Sequence, residues 1–207
     1  MRSVNALLRR IPEWAVWLLG GLPLLLLGYD TLTGQLGVDP VRDIEHRLGR
    51  TALYFLIASL AVSPARRLFR LNATHLRRAL GLLCFSYASL HLAAWVVFDM
   101  GLLWPQMLRD VIKRPYLIFG MASFVILILL AITSNRFSIR RLGRGWGRLH
   151  KLVYPAAVLA SLHWLWALKL WTAWPLFCAG TILLLLSLRV LPLLRMTQKL
   201  YINNNTM

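Results

Sequence analysis

The chain has 207 residues, of which 58% are hydrophobic, and a formal net charge of +17. Its mean hydropathy is +0.62. Soluble domains are roughly 45–50% apolar, so the composition argues against an ordinary soluble protein. A net charge this positive also occurs in nucleic-acid-binding proteins, but the positions of the charges along the chain exclude that function here.

Six apolar runs cover most of the chain, at about residues 14–29, 48–62, 79–98, 116–133, 152–168 and 174–191. A helix needs roughly 17–25 residues to cross a hydrocarbon layer ~30 Å thick. A soluble helix would show a polar face to water, and these runs have almost none. We therefore predict an all-α polytopic membrane protein, with residues 1–207 forming a single domain built as a six-transmembrane-helix bundle.

The first run resembles a signal peptide because it follows Arg2, Arg9 and Arg10. It is longer than a typical signal-peptide core and lacks a clear small-residue cleavage site. We therefore expect it to remain as a helix of the mature protein.

Basic residues are concentrated in alternate loops. The second loop, SPARRLFRLNATHLRR, and the fourth loop, SNRFSIRRLGRGWGRLHK, contain no acid, whereas the acids cluster in the first and third loops. Cytoplasmic loops of membrane proteins carry an excess of Lys and Arg. The pattern predicts a multi-pass membrane protein with both termini in the cytoplasm. The basic loops anchor to the lipid bilayer in this interpretation, with docking of an acidic partner as an alternative.

Two histidines are predicted to reach the same depth in the membrane. At 1.5 Å per residue, His91 lies roughly 18 Å into the third helix and His163 roughly 20 Å into the fifth. Both helices run outwards from a basic loop, so both side chains are expected in the outer half of the bilayer. His150 is expected near the cytoplasmic surface.

An imidazole in hydrocarbon needs partners for its donor and its acceptor. One interpretation is an interhelical hydrogen bond to Ser89 or Ser161. The matched depth favours a shared ligand instead, and haem with two axial histidines is a natural candidate. Zinc would need three or four ligands, and no Cys, Asp or Glu lies at that depth.

The neighbours of the two histidines are small or aromatic. Residues three and four positions away share a helix face, and these are Ala88, Ala94, Ala160 and Ala167. They leave room for a flat cofactor, although small residues also line ordinary membrane helix interfaces. Aromatic side chains expected at the edges of the cofactor are Tyr87, Trp95 and Trp166.

His150 is harder to interpret. It does not share a face with His163 on a straight helix, although Pro155 between them can kink the helix. The alternative is a solvated loop histidine beside Lys151.

Haem propionates near a membrane surface need cationic partners. Arg50 on the outer side and Arg77 and Arg78 on the inner side are candidates. Arginines at helix ends are, however, usually membrane anchors.

Four stretches resemble the MsrQ family, formerly YedZ, and the wider ferric reductase and NADPH oxidase superfamily: GVDPVRDIEHRLGRTAL, RRALGLLCFSYASLHLAAW, RPYLIFGMASFVILILLAITS and WGRLHKLVYPAAVLASLHWLW. The resemblance covers nearly the whole chain. It implies b-type haem on His91, His150 and His163. It also implies a location in the bacterial inner membrane and electron delivery to MsrP, a periplasmic molybdopterin enzyme that reduces methionine sulfoxide in oxidised proteins. An FMN, and electrons from the quinone pool or a cytosolic flavin reductase, are implied as well.

The chain departs from the wider superfamily in two respects. NADPH oxidases carry two histidines on each of two helices, whereas the third helix here has only His91. Either a single haem is bound, or His150 has another partner. His75 lies on the same side of the membrane as His150 but in a loop. His46 lies on the outer side, in the acidic first loop, and could serve an outer site instead. No GxGxxG motif follows a strand, so we expect a separate reductase or a quinol as the electron donor.

The predicted function is that of an electron-transfer subunit, a transmembrane b-type cytochrome, rather than a catalytic subunit. A quinol-linked cytochrome with a different acceptor is the main alternative. A histidine-based proton or ion transporter is a further one, but it would normally carry carboxylates inside the membrane. A structural anchor for a partner enzyme would not need deep histidines at matched depth.

Overall fold

The computed structural model describes residues 2–170 and 172–204, with side chains described over 4–170 and 172–189. Its helices are α1 (Arg2–Arg10), α2 (Glu13–Leu32), α3 (Pro40–Phe69), α4 (Arg77–Ala94), α5 (Trp104–Lys113), α6 (Pro115–Ile132), α7 (Arg136–Leu142), α8 (Arg144–Leu149), α9 (Val153–Ala167) and α10 (Ala173–Asn204). No strand occurs among the described residues. The predicted all-α class is therefore confirmed.

A helix lies at each of the six predicted runs, namely α2, α3, α4, α6, α9 and α10. Four segments are long and apolar enough to cross a membrane: Glu13–Leu32, Pro40–Phe69, Thr74–Asp99 and Pro115–Ile132. The apolar part of α10, Ala173–Arg189, is shorter, and α9 has 15 residues. The chain is thus a multi-pass membrane protein, while six crossings stay a prediction. Cytoplasmic termini also stay a prediction, since the spans are identified by length and composition and not by the side that each end faces.

Helix α3 begins eight residues before the predicted apolar run. Asp39 caps it by accepting a hydrogen bond from the Arg42 backbone N–H at 3.1 Å, and Pro40 occupies the first turn. Both features are typical of a helix start. The outer turns of α3 are charged, so hydropathy alone misplaces its beginning. As a result, His46 lies on a helix, and its expected position in the first loop is wrong.

The bundle is organised around two helix pairs. Helix α3 packs along α4, and α6 packs along α9, while α4 also contacts α6 and α10 contacts both α3 and α9. The buried core between them includes Leu56, Leu60, Cys84, Ala157 and Ile182. The two pairs bring the third and fifth predicted runs, which carry the deep histidines, to the middle of the bundle.

Tyr87 joins α4 to α2. Its hydroxyl donates to the Gly20 carbonyl at 2.6 Å and accepts from the Leu24 N–H at 3.1 Å. In a regular helix the Leu24 N–H would bond the Gly20 carbonyl directly, so the hydroxyl is inserted into the hydrogen-bond ladder of α2. Tyr87 therefore packs against α2, and not at the edge of a cofactor as the sequence suggested.

Candidate functional site

His91 on α4 and His163 on α9 face each other. Their ring centres are 6.2 Å apart and their planes are inclined by 68°. Both side chains line the same cavity. The proximity expected from their matched depth is therefore present in the structure.

Each imidazole is held by a main-chain carbonyl of a neighbouring helix. His91 Nδ1 lies 2.9 Å from the Glu45 carbonyl oxygen on α3, and His163 Nδ1 lies 2.8 Å from the Tyr116 carbonyl oxygen on α6. A carbonyl oxygen only accepts hydrogen bonds, so each Nδ1 carries the proton and each Nε2 keeps a lone pair. The sequence did not predict Glu45 or Tyr116 as partners, because every residue has a backbone carbonyl and the acceptor therefore does not depend on residue type.

The serine partners considered from the sequence are engaged elsewhere. Ser89 donates to the Phe85 carbonyl and Ser161 to the Ala157 carbonyl, each within its own helix. An interhelical serine hydrogen bond therefore does not explain the two deep histidines.

The cavity between the histidines has a volume of about 660 Å³, within the range of small-molecule and cofactor sites. Its walls come from α3, α4, α6 and α9. Of the small and aromatic residues expected around a cofactor, Ala88, Ala160, Ala167 and Trp95 line it. Ala94 is instead buried in a core cluster beside Tyr87, and Trp166 packs against Phe119.

Charged residues surround one end of this cavity. The cations are Arg42, Arg50, Arg114 and Lys169, and the acids are Asp39, Glu45 and Asp99. Arg50 was predicted here, and the other three cations were not. Glu45 Oε1 is buried and has no hydrogen-bond partner among the described residues. All of these residues lie at, or next to, helix ends predicted to face the periplasm.

The geometry fits a metal held between the two rings. An imidazole nitrogen binds a transition metal at about 2 Å, and the ring centre lies roughly 1 Å behind it, so two opposed rings on one metal have centres about 6 Å apart. In the described part of the chain, no three His, Cys, Asp or Glu side chains cluster in a way that could hold a bare metal ion. A metal that brings its own equatorial ligands, as haem iron does, suits a site with only two protein ligands.

His150 lies in a second cavity of about 430 Å³, together with Arg77, Arg78 and Lys151. Its Nε2 is 3.1 Å from the Thr133 hydroxyl, and its ring stacks on Trp146 with centres 4.0 Å apart. Burial, and secondarily the nearby Arg77, lower the pKa of His150 below its usual value. His150 is therefore a half-buried side chain at the other end of the bundle, and not a solvated loop residue.

The two cavities share a wall made of Leu56, Cys84 and Leu127. The outer cavity, which contains His91 and His163, lies on one side of this wall, and the inner cavity, which contains His150, lies on the other. The wall contains no charged side chain. The two cavities are thus neighbouring compartments along the bundle.

The two remaining histidines are not beside His150. His75 is exposed, and its Nε2 is 3.2 Å from the Ile11 carbonyl oxygen. His46 lines the outer cavity. Among the described residues, no second histidine lines the inner cavity. The candidate propionate partners Arg77 and Arg78 do line it, and Arg78 Nε donates to the Ser134 carbonyl at 2.9 Å.

Residues 48–161 match the family described as ferric reductase like transmembrane component. Among curated proteins, the Agrobacterium fabrum protein-methionine-sulfoxide reductase heme-binding subunit MsrQ is 45% identical over 186 residues, covering 90% of this chain and 86% of that protein. The Brucella anthropi protein of the same name is 45% identical over 181 residues, covering 86% and 82%. No solved structure shows a significant match. The chain belongs to the MsrQ family and, more broadly, to the ferric reductase like transmembrane family.

Proposed function

We propose that this chain is a membrane b-type cytochrome that passes electrons to a periplasmic molybdopterin methionine sulfoxide reductase, for repair of oxidised periplasmic proteins. The observation that carries the proposal is the His91–His163 pair, in which both Nδ1 atoms are held by carbonyls and both Nε2 atoms are left for a ligand. The names of the curated relatives support haem and methionine sulfoxide reduction.

His91 and His163 would hold the haem, which would supply one-electron chemistry when bound. The Nδ1–H···O=C bonds fix the tautomer and the orientation of each ring and raise the basicity of the ligand nitrogen. Held by both histidines, the haem would supply electron transfer and not oxygen chemistry. Arg42, Arg50, Arg114 and Lys169 at the charged end would neutralise the propionates.

We propose that electrons enter from the inner cavity. It lies at the basic, predicted cytoplasmic end and contains His150, Arg77 and Arg78. A quinol or a cytosolic flavin reductase is the proposed donor, and an FMN, if bound, would be placed at this end. A second haem coordinated by His150 would need a ligand other than a described histidine, because no other histidine lines that cavity.

The electron acceptor tests the proposed function directly. The haem is reduced in proteoliposomes, and a periplasmic methionine sulfoxide reductase of the molybdopterin class is added with methionine sulfoxide. With the reductase added in substoichiometric amount, we expect the whole haem absorption band to be reoxidised. When the sulfoxide is omitted, reoxidation should stop once the added reductase is itself reduced. If the band stays reduced, the chain is instead a quinol-linked cytochrome with a different acceptor.

The acceptor should dock at the charged end of the outer cavity. Among the acids of the predicted first outer loop, Asp30 and Asp43 are paired with Arg47, and Glu45 is partly buried, whereas Asp39 is exposed at the rim.

Asp39→Asn removes that charge but keeps a side chain that caps helices well. It should slow association with the acceptor at low salt and leave the haem spectrum unchanged, because rim charges mainly set the association rate. Glu13→Gln, the same charge change at the start of α2, is the matched control. Equal rates for Asp39→Asn and the control would place the docking surface elsewhere.

A further inference from the structure

Both deep histidines sit against the same local arrangement of a neighbouring helix. His91 bonds the Glu45 carbonyl on α3, and Gly49 follows four residues later; His163 bonds the Tyr116 carbonyl on α6, and Gly120 follows four residues later. The arrangement therefore occurs once in the α3–α4 pair and once in the α6–α9 pair. We call each carbonyl with its glycine a socket.

Helix geometry explains why position i+4 matters. The carbonyl of residue i already accepts from the N–H of residue i+4, but its oxygen has a second lone pair that can receive an imidazole N–H. In a helix the Cα–Cβ bond tilts toward the N-terminus, so a side chain at i+4 covers the turn that contains this carbonyl. Only a residue without Cβ leaves the carbonyl fully open to the ring.

The contacts at both glycines are tight. A Cβ added at Gly49 would lie 3.2 Å from His91 Nδ1, and one added at Gly120 would lie 2.8 Å from His163 Nδ1. The second distance is shorter than real Cβ contacts allow, and the first requires the ring to move by a few tenths of an ångström. Glycine is otherwise unfavourable inside a helix, and neither position has a positive backbone φ. Access of the imidazole to the carbonyl is thus the physical reason for glycine at both sites.

We propose that Gly49 and Gly120 are positioning residues, each of which lets its histidine reach the backbone acceptor that fixes the proton on Nδ1 and turns Nε2 into the shared cavity. The relevance of this positioning to haem rests on the proposed function. The socket of His163 is the tighter one, so substitution of Gly120 disturbs its ring more than substitution of Gly49 disturbs that of His91.

A double-mutant cycle tests the steric part of this proposal in the purified full-length protein. Gly120→Ala should lower the melting temperature when His163 is present. In a His163→Ala background the same change should raise it, because the ring is gone and alanine is the better helix former. Gly180→Ala on α10, where an added Cβ meets nothing within 4 Å, should raise it in both backgrounds. If Gly120→Ala lowers the melting temperature in both backgrounds, or in neither, the proposed steric role of Gly120 is wrong.

Haem retention and the low-spin ferric electron paramagnetic resonance (EPR) spectrum test the positioning part. Loss of an outer hydrogen bond to a metal ligand typically weakens metal binding 10–100-fold. We expect a loss of that size for Gly120→Ala, a smaller one for Gly49→Ala, and altered EPR g-values in both. If the glycine variants keep the wild-type haem affinity and g-values, while haem binding still requires His91 and His163, the positioning role is refuted and the proposed function is not. If haem is retained after loss of either histidine, the proposed function is refuted instead. The melting experiment still tests whether the glycines make room for the histidine rings.

Discussion

The rings of His91 and His163 face each other at 6.2 Å, and each is fixed from behind by a carbonyl of a different helix. Since both donor nitrogens are satisfied by backbone, each ring keeps an Nε2 lone pair for a ligand, and both rings line the same cavity. A proton relay would instead need a chain of ionisable groups that exchange protons. The arrangement therefore favours an electron-transfer cofactor over a histidine-based transporter.

Arg47 and Arg50 are two arginines on α3 that lie in different surroundings. Arg50 lines the outer cavity, whereas Arg47 pairs with Asp30 and Asp43 and does not line it. We expect Arg50→Gln to weaken haem retention about two- to fivefold, as for a partly exposed ion pair worth ~0.5–1 kcal/mol. Transfer of haem to an excess of a haem-scavenging protein measures this. Faster haem loss from Arg47→Gln than from Arg50→Gln would contradict the assignment of the propionate end.

The two ends of the bundle should face opposite sides of the membrane. Single cysteines at Gln35 and Gln106 should react with an impermeant maleimide added to intact cells, and a cysteine at Ser138 should react only after the cells are opened. The native Cys84 and Cys178 are buried, so they can remain in place. Labelling of position 138 from outside would show the opposite orientation in the membrane, and the predicted direction of electron flow would then be wrong.

The Tyr87 hydroxyl should contribute measurably to stability. Tyr87→Phe leaves the Gly20 carbonyl and the Leu24 N–H without their bridging partner. A buried polar group without a partner costs about 1–3 kcal/mol. We expect a loss of that order in denaturant unfolding in detergent, with an unchanged haem spectrum. Tyr29→Phe, on the exposed surface of α2, is the control, and equal stability of the two variants would rule out the bridge.

The sequence predicted the six apolar helices and the meeting of His91 with His163, because hydropathy and helix rise depend directly on residue type and spacing. It did not predict the short helices α1, α5, α7 and α8, which lie in stretches interpreted as the N-terminus and as loops. It did not predict the sockets, since the acceptors at Glu45 and Tyr116 are backbone atoms and Gly49 and Gly120 resemble any small residue of a membrane helix.

Other features depended on tertiary contacts. The early start of α3 was missed because its outer turns are charged. The separate cavity of His150 could not be inferred, since it depends on how α6, α8 and α9 meet around Thr133 and Trp146.

The central claim is that His91 and His163 together hold a haem. Reduced-minus-oxidised spectra of the purified wild type, with haem counted per chain, test it most directly when compared with His91→Ala, His163→Ala and the exposed control His75→Ala. We predict a b-type spectrum in the wild type and in His75→Ala. His91→Ala and His163→Ala should each lose the haem that the two histidines hold together. All three variants should still insert into the membrane. His150→Ala should keep that haem. Full haem content in both His91→Ala and His163→Ala would contradict the account.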